Sequence, residues 1–326
     1  MRSTACLAAA AALLFVGLPA VAQETEGNGR RDRPVSLAEV QGNAARVVPI
    51  ALGLEVLQGD VARRARLRLL EGPEGGVDGV SIWGGPQGAF LDFDSEGFDG
   101  AFVGGAIGID FDIDTDWVVG FRLGFEHTDL DTAIDGIPGN MDSRGLALTF
   151  YAAWQPYENW VIDGFLGAGR TAYDFNNGGV TGTIDADRFT GGIGASAVYG
   201  YGNFQLSPRL ELALAVDSAV GFFDSAGVEA TNSLITYFEG AFGGEVAYPM
   251  SFGGTGFTPW LSAAVVGTLD EVGQASLVGD TVHGRVGAGL RLRQGRFAVD
   301  IEGRAAGFGG RDFNDYQGLL RLSVVF

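Results

Sequence analysis

The stretch that decides the fold is Val282–Arg293, which reads VHGRVGAGLRLR. Its even-numbered positions are all apolar or glycine, whereas its odd-numbered positions hold one histidine, three arginines and two glycines. Because a β-strand turns successive side chains to opposite faces, one face of this strand carries no charge and the other is strongly charged. This pattern is typical of a transmembrane barrel strand with apolar side chains toward lipid and polar ones toward a water-filled lumen.

The same alternation recurs along the rest of the chain. Twelve segments of about ten residues show it. They lie near Val80–Phe93, Phe98–Phe111, Trp117–His127, Ser143–Gln155, Trp160–Tyr173, Arg188–Tyr201, Arg209–Val220, Ile235–Tyr248, Thr258–Thr268, Thr281–Arg293, Arg296–Ala306 and Tyr316–Phe326. A single-chain bacterial barrel has an even number of strands. The sequence therefore predicts an all-β fold, a transmembrane antiparallel β-barrel of twelve strands.

The connections between these segments alternate in length. Odd-numbered gaps after the first, such as Thr128–Asp142 and Asp174–Asp187, are long, whereas even-numbered gaps such as Pro156–Asn159 are short. Outer-membrane barrels have longer extracellular loops and short periplasmic turns, so the long gaps are expected outside and Phe326 in the periplasm. An interfacial aromatic girdle is expected beside the short turns. Its members are Trp117, Trp154, Trp160, Tyr248 and Trp260.

The composition excludes several classes of protein. With 21 Lys and Arg against 40 Asp and Glu, the net charge of −19 argues against binding to nucleic acid, which requires a basic face. Glycine makes up 54 of 326 residues without a Gly-X-Y period, so the chain is not collagen-like. An apolar content of 46% is too high for a disordered chain.

Residues 1–22 are predicted to be a secretory signal peptide. Arg2 gives a positive n-region, Ala5–Val16 an apolar h-region, and Ala20-Val21-Ala22 an A-x-A cleavage site. The one cysteine, Cys6, lies in this segment, so no disulfide is expected in the exported chain.

Residues 23–78 are predicted to be a short polar and helical segment. Ser36–Glu39 reads as a capping box that opens a helix, and Pro49 is expected to kink or end it. A second helix is expected near Asp60. It carries four arginines, Arg63, Arg64, Arg66 and Arg68.

This basic helix is predicted to lie in the barrel lumen against inward carboxylates. They are Asp110, Glu126, Glu211, Asp217, Glu239, Glu245, Asp300 and Glu302. Charge pairing is stronger in a confined lumen of low dielectric than at a surface. The alternative is a surface helix with a solvated basic face.

Several strands resemble those of the autotransporter (type V secretion) barrel domain. The second and third strands of that domain resemble Gly100–Asp110 and Trp117–Phe125, and its next hairpin resembles Ser143–Tyr151 with Trp160–Gly169 and Tyr173-Asp174. The terminal Phe326, with apolar residues at alternate positions before it, resembles the signal read by the outer-membrane insertion machinery.

The resemblance covers about Val80–Phe326. It implies a barrel whose upstream segment crosses the pore and displays a passenger outside the cell. The sequence departs from the family pattern in two ways. The stretch from Gln23 to Gly79 is only 57 residues without repeats, and the barrel entrance has no Asn-Asn pair of the kind some members use for self-cleavage.

A barrel hydrolase is the enzymatic alternative. His127 and His283 are expected near the outer rim, with Glu126, Asp129, Asp131 and Asp280 nearby and Ser276 as a candidate nucleophile. The loop carboxylates suggest Ca²⁺, but they lack the spacing of an EF-hand or of a Gly-Asp repeat. They are Asp129, Asp131, Asp135, Asp142, Asp174, Asp185 and Asp187. We predict solvated histidines and carboxylates, with no catalytic, cofactor or metal site.

The sequence thus predicts a signal peptide (residues 1–22), a segment inside the pore (residues 23–78) and an autotransporter-like barrel (residues 79–326) in the outer membrane of a Gram-negative cell. Its function would be insertion, and the anchoring or display of the short N-terminal segment, without enzymatic activity. Expected partners are outer-membrane lipid, lipopolysaccharide and, through Phe326, the barrel insertion machinery, for a monomeric barrel. A porin-like channel or structural barrel is the main alternative.

Overall fold

A computed structural model describes residues 37–71, 79–93, 99–134, 137–272, 281–308 and 313–326. The described chain begins with helix α1 (Leu37–Leu57), continues through one π-helical turn (Gln58–Ala62) and ends its helical part with α2 (Arg63–Glu71). We call these three elements together the lumenal helix. The predicted signal peptide lies outside the described residues.

Twelve long strands follow within the described part of the chain. They are β1 (Val80–Phe93), β2 (Asp99–Asp112), β3 (Trp117–Ile134), β4 (Ile137–Tyr157), β5 (Trp160–Asn177), β6 (Val180–Ala197), β7 (Phe204–Ala219), β8 (Ser233–Ala247), β9 (Thr255–Val272), β10 (Thr281–Gln294), β11 (Phe297–Phe308) and β12 (Phe313–Val325). Short two- and three-residue strands extend some of the connections.

Each long strand pairs antiparallel with its neighbours in the sequence, and the last strand pairs with the first. The closing ladder runs from Ser81 opposite Val325 to Phe93 opposite Phe313. Closure leaves no free edge among the twelve long strands that the structure describes, which a membrane requires because lipid cannot satisfy backbone N–H and C=O groups. The predicted twelve-stranded antiparallel barrel is confirmed.

The two faces of the barrel wall separate by polarity as predicted. On β10 the outward Val282 is 65% exposed, whereas the inward His283 is 2% exposed. On β12, Leu322 is exposed and the inward Arg321 is buried. The apolar side chains that are exposed in the isolated chain are therefore those that a bilayer would cover.

Two of the predicted outer loops are in fact strands. Residues 128–134 and 137–142 extend the β3–β4 hairpin, and residues 174–187 form the outer part of the β5–β6 hairpin around a turn at Gly178 and Gly179. Both glycines have positive φ angles, +57° and +89°, which a side chain disfavours. Beyond the bilayer the outward face can be polar, so the hydrophobic alternation disappears while the backbone pairing continues.

Helix α1 runs through Pro49 and ends at Leu57, so it does not end at the proline. A helix-interior proline costs about 3 kcal/mol in isolation. Here Val48, Ile50 and the residues around them are buried inside the barrel, and this packing holds the helix together. None of the described helices is long and apolar enough to cross a membrane.

Candidate functional site: the charged lumen and its helix

The lumenal helix runs from the end of the barrel with the long hairpins to the end with the short turns. Near its start, Arg46 pairs with Asp217, which lies two residues before the outer end of β7. Near its other end, Arg68 pairs with Asp112, the last residue of β2. At about 1.5 Å per residue the helix is roughly 50 Å long, which exceeds the bilayer's hydrocarbon core of about 30 Å.

The basic part of the helix faces wall carboxylates, as predicted. Arg63 donates hydrogen bonds of 2.8 Å to both Glu245 and Glu302. Arg64 donates to Asp110 over 2.8 Å and also contacts Ser81. These arginines are less than one-tenth exposed. The lumenal position of the basic helix is confirmed, and the alternative of a solvated surface helix is wrong.

Four of the predicted carboxylates instead pair with arginines of the wall itself. The pairs are Glu126 with Arg188, Glu211 with Arg209 and Arg285, Glu239 with Arg285, and Asp300 with Arg291 and Arg321. They lie on adjacent or nearby strands and cross-link the inner surface of the barrel. One-dimensional sequence does not show which of the many inward cations each carboxylate reaches.

Asp60 is a lumenal contact residue that the sequence did not predict. Asp60 follows Gly59 in the π-helical turn, and its carboxylate accepts a hydrogen bond of 2.9 Å from Arg122 and one of 2.6 Å from Arg321. The charges are therefore reversed here, with the acid on the helix and the bases on the wall. The sequence feature that could have identified this contact is a single acidic residue, Asp60, shortly before a cluster of arginines.

Aromatic side chains of the wall also contact the helix. The Arg63 guanidinium lies 3.5 Å from the centre of the Trp260 ring, a cation–π contact. Trp260 is 5% exposed, so its predicted place in an interfacial girdle is wrong. Trp117 and Trp154 stack with ring centres 5.5 Å apart beside the β2–β3 turn, where the girdle was expected.

A buried hydrogen-bond cluster joins the helix to the wall at the short-turn end. Asp110 accepts hydrogen bonds from Tyr151, Trp83 and Arg64. Trp83 also donates to the Tyr151 hydroxyl over 2.9 Å. Charge-assisted bonds of this kind are among the stronger polar contacts in proteins.

The middle of the helix packs through apolar side chains. Val47, Ile50 and Leu54 are at most 1% exposed. Gly53 lies against the Glu126–Arg188 pair, because a methyl group built there would be 3.1 Å from the Glu126 carboxylate. The helix therefore occupies the lumen from Arg46 to Arg68.

The two histidines lie on opposite faces of the wall. His127 is on the outward face, where its ring bonds the Ser143 carbonyl over 2.9 Å and lies 3.9 Å from Asp142. His283 is buried on the lumenal face. The candidate nucleophile Ser276 lies outside the described residues. The geometry thus does not assemble the two histidines into one site.

Six of the seven carboxylates considered for Ca²⁺ are described, and they lie on the outer hairpins. Asp129, Asp142 and Asp174 are cross-strand neighbours on β3, β4 and β5. Over the described residues, no group of three or more His, Cys, Asp or Glu side chains is arranged to hold a metal ion. Asp135 and Asp280 lie outside the described residues.

A closed barrel with an apolar outer surface and a helix along a charged lumen defines the class of outer-membrane β-barrels whose pore holds a segment of their own chain. The family model described as Autotransporter beta-domain matches residues 82–307. The chain therefore belongs to the autotransporter β-domain family, and it is an outer-membrane barrel of that type.

Solved structures with the same fold support this assignment. The translocator domain of NalP from Neisseria meningitidis aligns with a TM-score of 0.70 at 14% identity, over 89% of this chain and 100% of that one. The β-domain of the Bordetella autotransporter BrkA aligns with a TM-score of 0.67 at 18% identity, over 76% and 100%. The AIDA-I transport unit from Escherichia coli gives 0.59 at 12% identity, over 81% and 97%. No curated protein matches the sequence.

Proposed function

We propose that this barrel anchors, on the outer face of the outer membrane, the polypeptide that precedes the lumenal helix. The observation that supports the proposal is the direction of that helix. It enters the barrel at the end with the long hairpins and leaves it at the short-turn end, where Gly79 leads into β1. Short turns and the C-terminal residue are periplasmic in outer-membrane barrels, so residues before Leu37 would emerge outside.

The contacts along the lumen support an anchor more than an open channel. Ion pairs hold the helix at Arg46, at Asp60 and at Arg63 to Arg68. Apolar side chains such as Val47, Ile50 and Leu54 pack between Arg46 and Asp60. A porin-like channel needs a continuous aqueous path, and this helix lies in that path. The porin-like alternative is therefore the less well supported function.

The rest of the proposal concerns export and assembly. Residues 1–22 would direct export and be removed, residues 23–78 would form the exposed and lumenal segment, and residues 79–326 would form the barrel. Phe326 would be recognised by the insertion machinery, and lipid with lipopolysaccharide would surround a monomeric barrel. We propose no enzymatic activity and no binding to nucleic acid.

An epitope tag inserted after Gly29 tests the proposal. We expect antibody to reach this tag on intact cells. Two tagged controls calibrate the assay: a tag between Gly178 and Gly179 in the outer β5–β6 turn should be accessible, and one between Gly202 and Asn203 in the β6–β7 turn should not. The proposal would be contradicted if the Gly29 tag, like the Gly202 tag, became accessible to antibody only after permeabilisation of the outer membrane.

A further inference from the structure

A polar cavity of about 90 Å³ separates one side of the lumenal helix from strands β7 to β11. It exists because both surfaces carry small residues at this level. Gly59 is on the helix, and Ala241, Gly243, Ser262 and Ala264 are on the wall. Arg304 approaches Gly59 so closely that a methyl group there would lie 2.5 Å from its guanidinium nitrogens. A polar cavity of this size holds several water molecules or one small solute.

Two side chains that line this cavity have unsatisfied polar atoms. The amide nitrogen and oxygen of Gln58, and Nε of Arg66, have no hydrogen-bond partner among the described residues. Gln58 is 5% exposed and Arg66 is 4% exposed. A buried polar atom without a partner has lost its hydrogen bonds to water without replacement, which is unfavourable. The cavity is therefore the place where a missing partner would be found.

The cavity offers mainly hydrogen-bond donors. Five guanidinium groups line it, those of Arg63, Arg66, Arg209, Arg285 and Arg304, against the carboxylates of Glu211 and Glu245. Four of the five arginines form hydrogen-bonded ion pairs with wall carboxylates. A guanidinium has donors and no acceptor, so the ligand that suits this surface is rich in acceptors.

Arg66 is the arginine that is left without a close acceptor. Its nearest carboxylate among the described residues is that of Glu245, at 3.6 Å, which is too long for a hydrogen bond. The same Glu245 oxygen already accepts from Arg63 over 2.8 Å. The charge of Arg66 is consequently only partly compensated by the protein.

We propose that this cavity binds one small inorganic oxyanion of the phosphate or sulfate class, held by Arg66 and by the amide of Gln58. Phosphate and sulfate match the donor geometry of a guanidinium and are small enough for the space. The anion joins the helix to the wall beside the direct contact of Arg63 with Glu245. A lipid headgroup is not the source, because the lining residues face the lumen.

Calorimetric titration of the refolded full-length chain in detergent with inorganic phosphate, at constant ionic strength, tests the proposal. We expect saturable binding of one anion per chain, with sulfate competing. Arg66→Gln should weaken the affinity at least tenfold. Arg170→Gln is the control, because Arg170 is exposed on β5 and lies near Asp185 outside the lumen, and the phosphate affinity of this variant should stay within twofold of the unaltered chain.

Ala264→Leu provides a second test that keeps every charge. The longer side chain should fill the cavity and abolish binding, whether or not Arg66→Gln folds. Absence of saturable binding by the unaltered chain would overturn the proposal and leave water as the occupant. Binding that survives Ala264→Leu would overturn it as well, because the anion would then lie elsewhere. Neither result bears on the surface position of the Gly29 tag, so the two proposals fail separately.

Discussion

Asp60 shows how single charges set the position of the lumenal helix. Its carboxylate lies between Arg122 and Arg321, whereas Arg63 and Arg64, one turn further on, face wall carboxylates. A shift of the helix by one turn, about 5.4 Å, would bring Asp60 toward wall carboxylates in one direction and Arg63 and Arg64 toward wall arginines in the other. The alternating signs therefore specify one axial and rotational position.

Asp60→Asn should loosen the helix without removing it. The change leaves the buried Arg122 guanidinium without its carboxylate partner and leaves Arg321 with Asp300 at 3.8 Å, and loss of one partner of a buried ion pair costs about 3 kcal/mol. This free energy corresponds to roughly 100-fold faster exchange of the backbone amide hydrogens of the helix, if these exchange when the helix detaches from the wall. Hydrogen–deuterium exchange of residues 53–64 measures it.

Asp114→Asn is the control for this substitution, because Asp114 lies in the exposed β2–β3 turn. In the Asp114→Asn variant the amide exchange rates of the helix should equal those of the unaltered chain. Equal rates in Asp60→Asn would show that Arg122 and Arg321 do not hold the helix.

At the scale of elements, the helix and the barrel wall depend on each other. The wall has a charged inner face because its strands carry inward arginines and carboxylates, and many of these charges find partners on the helix. The helix in turn is kept continuous through Pro49 by burial in the lumen. Most helical stability in proteins arises from such packing and not from intrinsic propensity.

Deletion of Gly59–Leu70 should open the pore. The deletion removes the π-helical turn and most of α2, and with them the contacts of Asp60 and of all four arginines. We expect single-channel conductance in planar bilayers to rise several-fold. Deletion of Ser225–Gly227, in an outer loop, should leave it unchanged. An unchanged conductance after deletion of Gly59–Leu70 would show that the helix does not obstruct the pore.

At the scale of the whole molecule, the barrel is closed by its most distant strands. β1 pairs with β12 across nearly the whole length of the barrel sequence, and the Phe326 N–H donates to the Val80 carbonyl over 3.0 Å. This bond uses only backbone atoms, whereas the Phe326 ring is 57% exposed. The ring is therefore free to serve recognition without contributing to closure.

Phe326→Ser should impair assembly of the barrel in cells and leave folding of the purified chain in detergent unchanged. If the insertion machinery recognises the ring, the amount of folded barrel in the outer membrane should fall several-fold. Refolding from urea into detergent should be unchanged, since the Phe326–Val80 hydrogen bond does not need the ring. An equal loss in both assays would show that the ring stabilises the barrel itself. Gln317→Ser is the comparison variant for a change inside the barrel, because the Gln317 side chain contacts Glu55 in the lumen.

The sequence by itself determined the barrel, its strand number and the polarity of its faces. Alternation with period two is a local property of a strand between lipid and water, so stretches such as Val282–Arg293 reveal it directly. The cluster of arginines from Arg63 to Arg68 also predicted a helix against lumenal carboxylates. The same local signal failed outside the bilayer, where the β3–β4 and β5–β6 hairpins continue as polar strands.

Only the tertiary structure decided which charges meet. Asp60 reaches Arg122 and Arg321, Trp260 turns to the lumen under Arg63, and Arg66 is left beside a cavity. These contacts join residues separated by 60 to more than 250 positions, and they depend on barrel closure and on the axial position of the helix. Hydrophobic periodicity describes one strand at a time. It gives no distances between strands, and these distances determine which of many similar inward charges becomes the partner of a given residue.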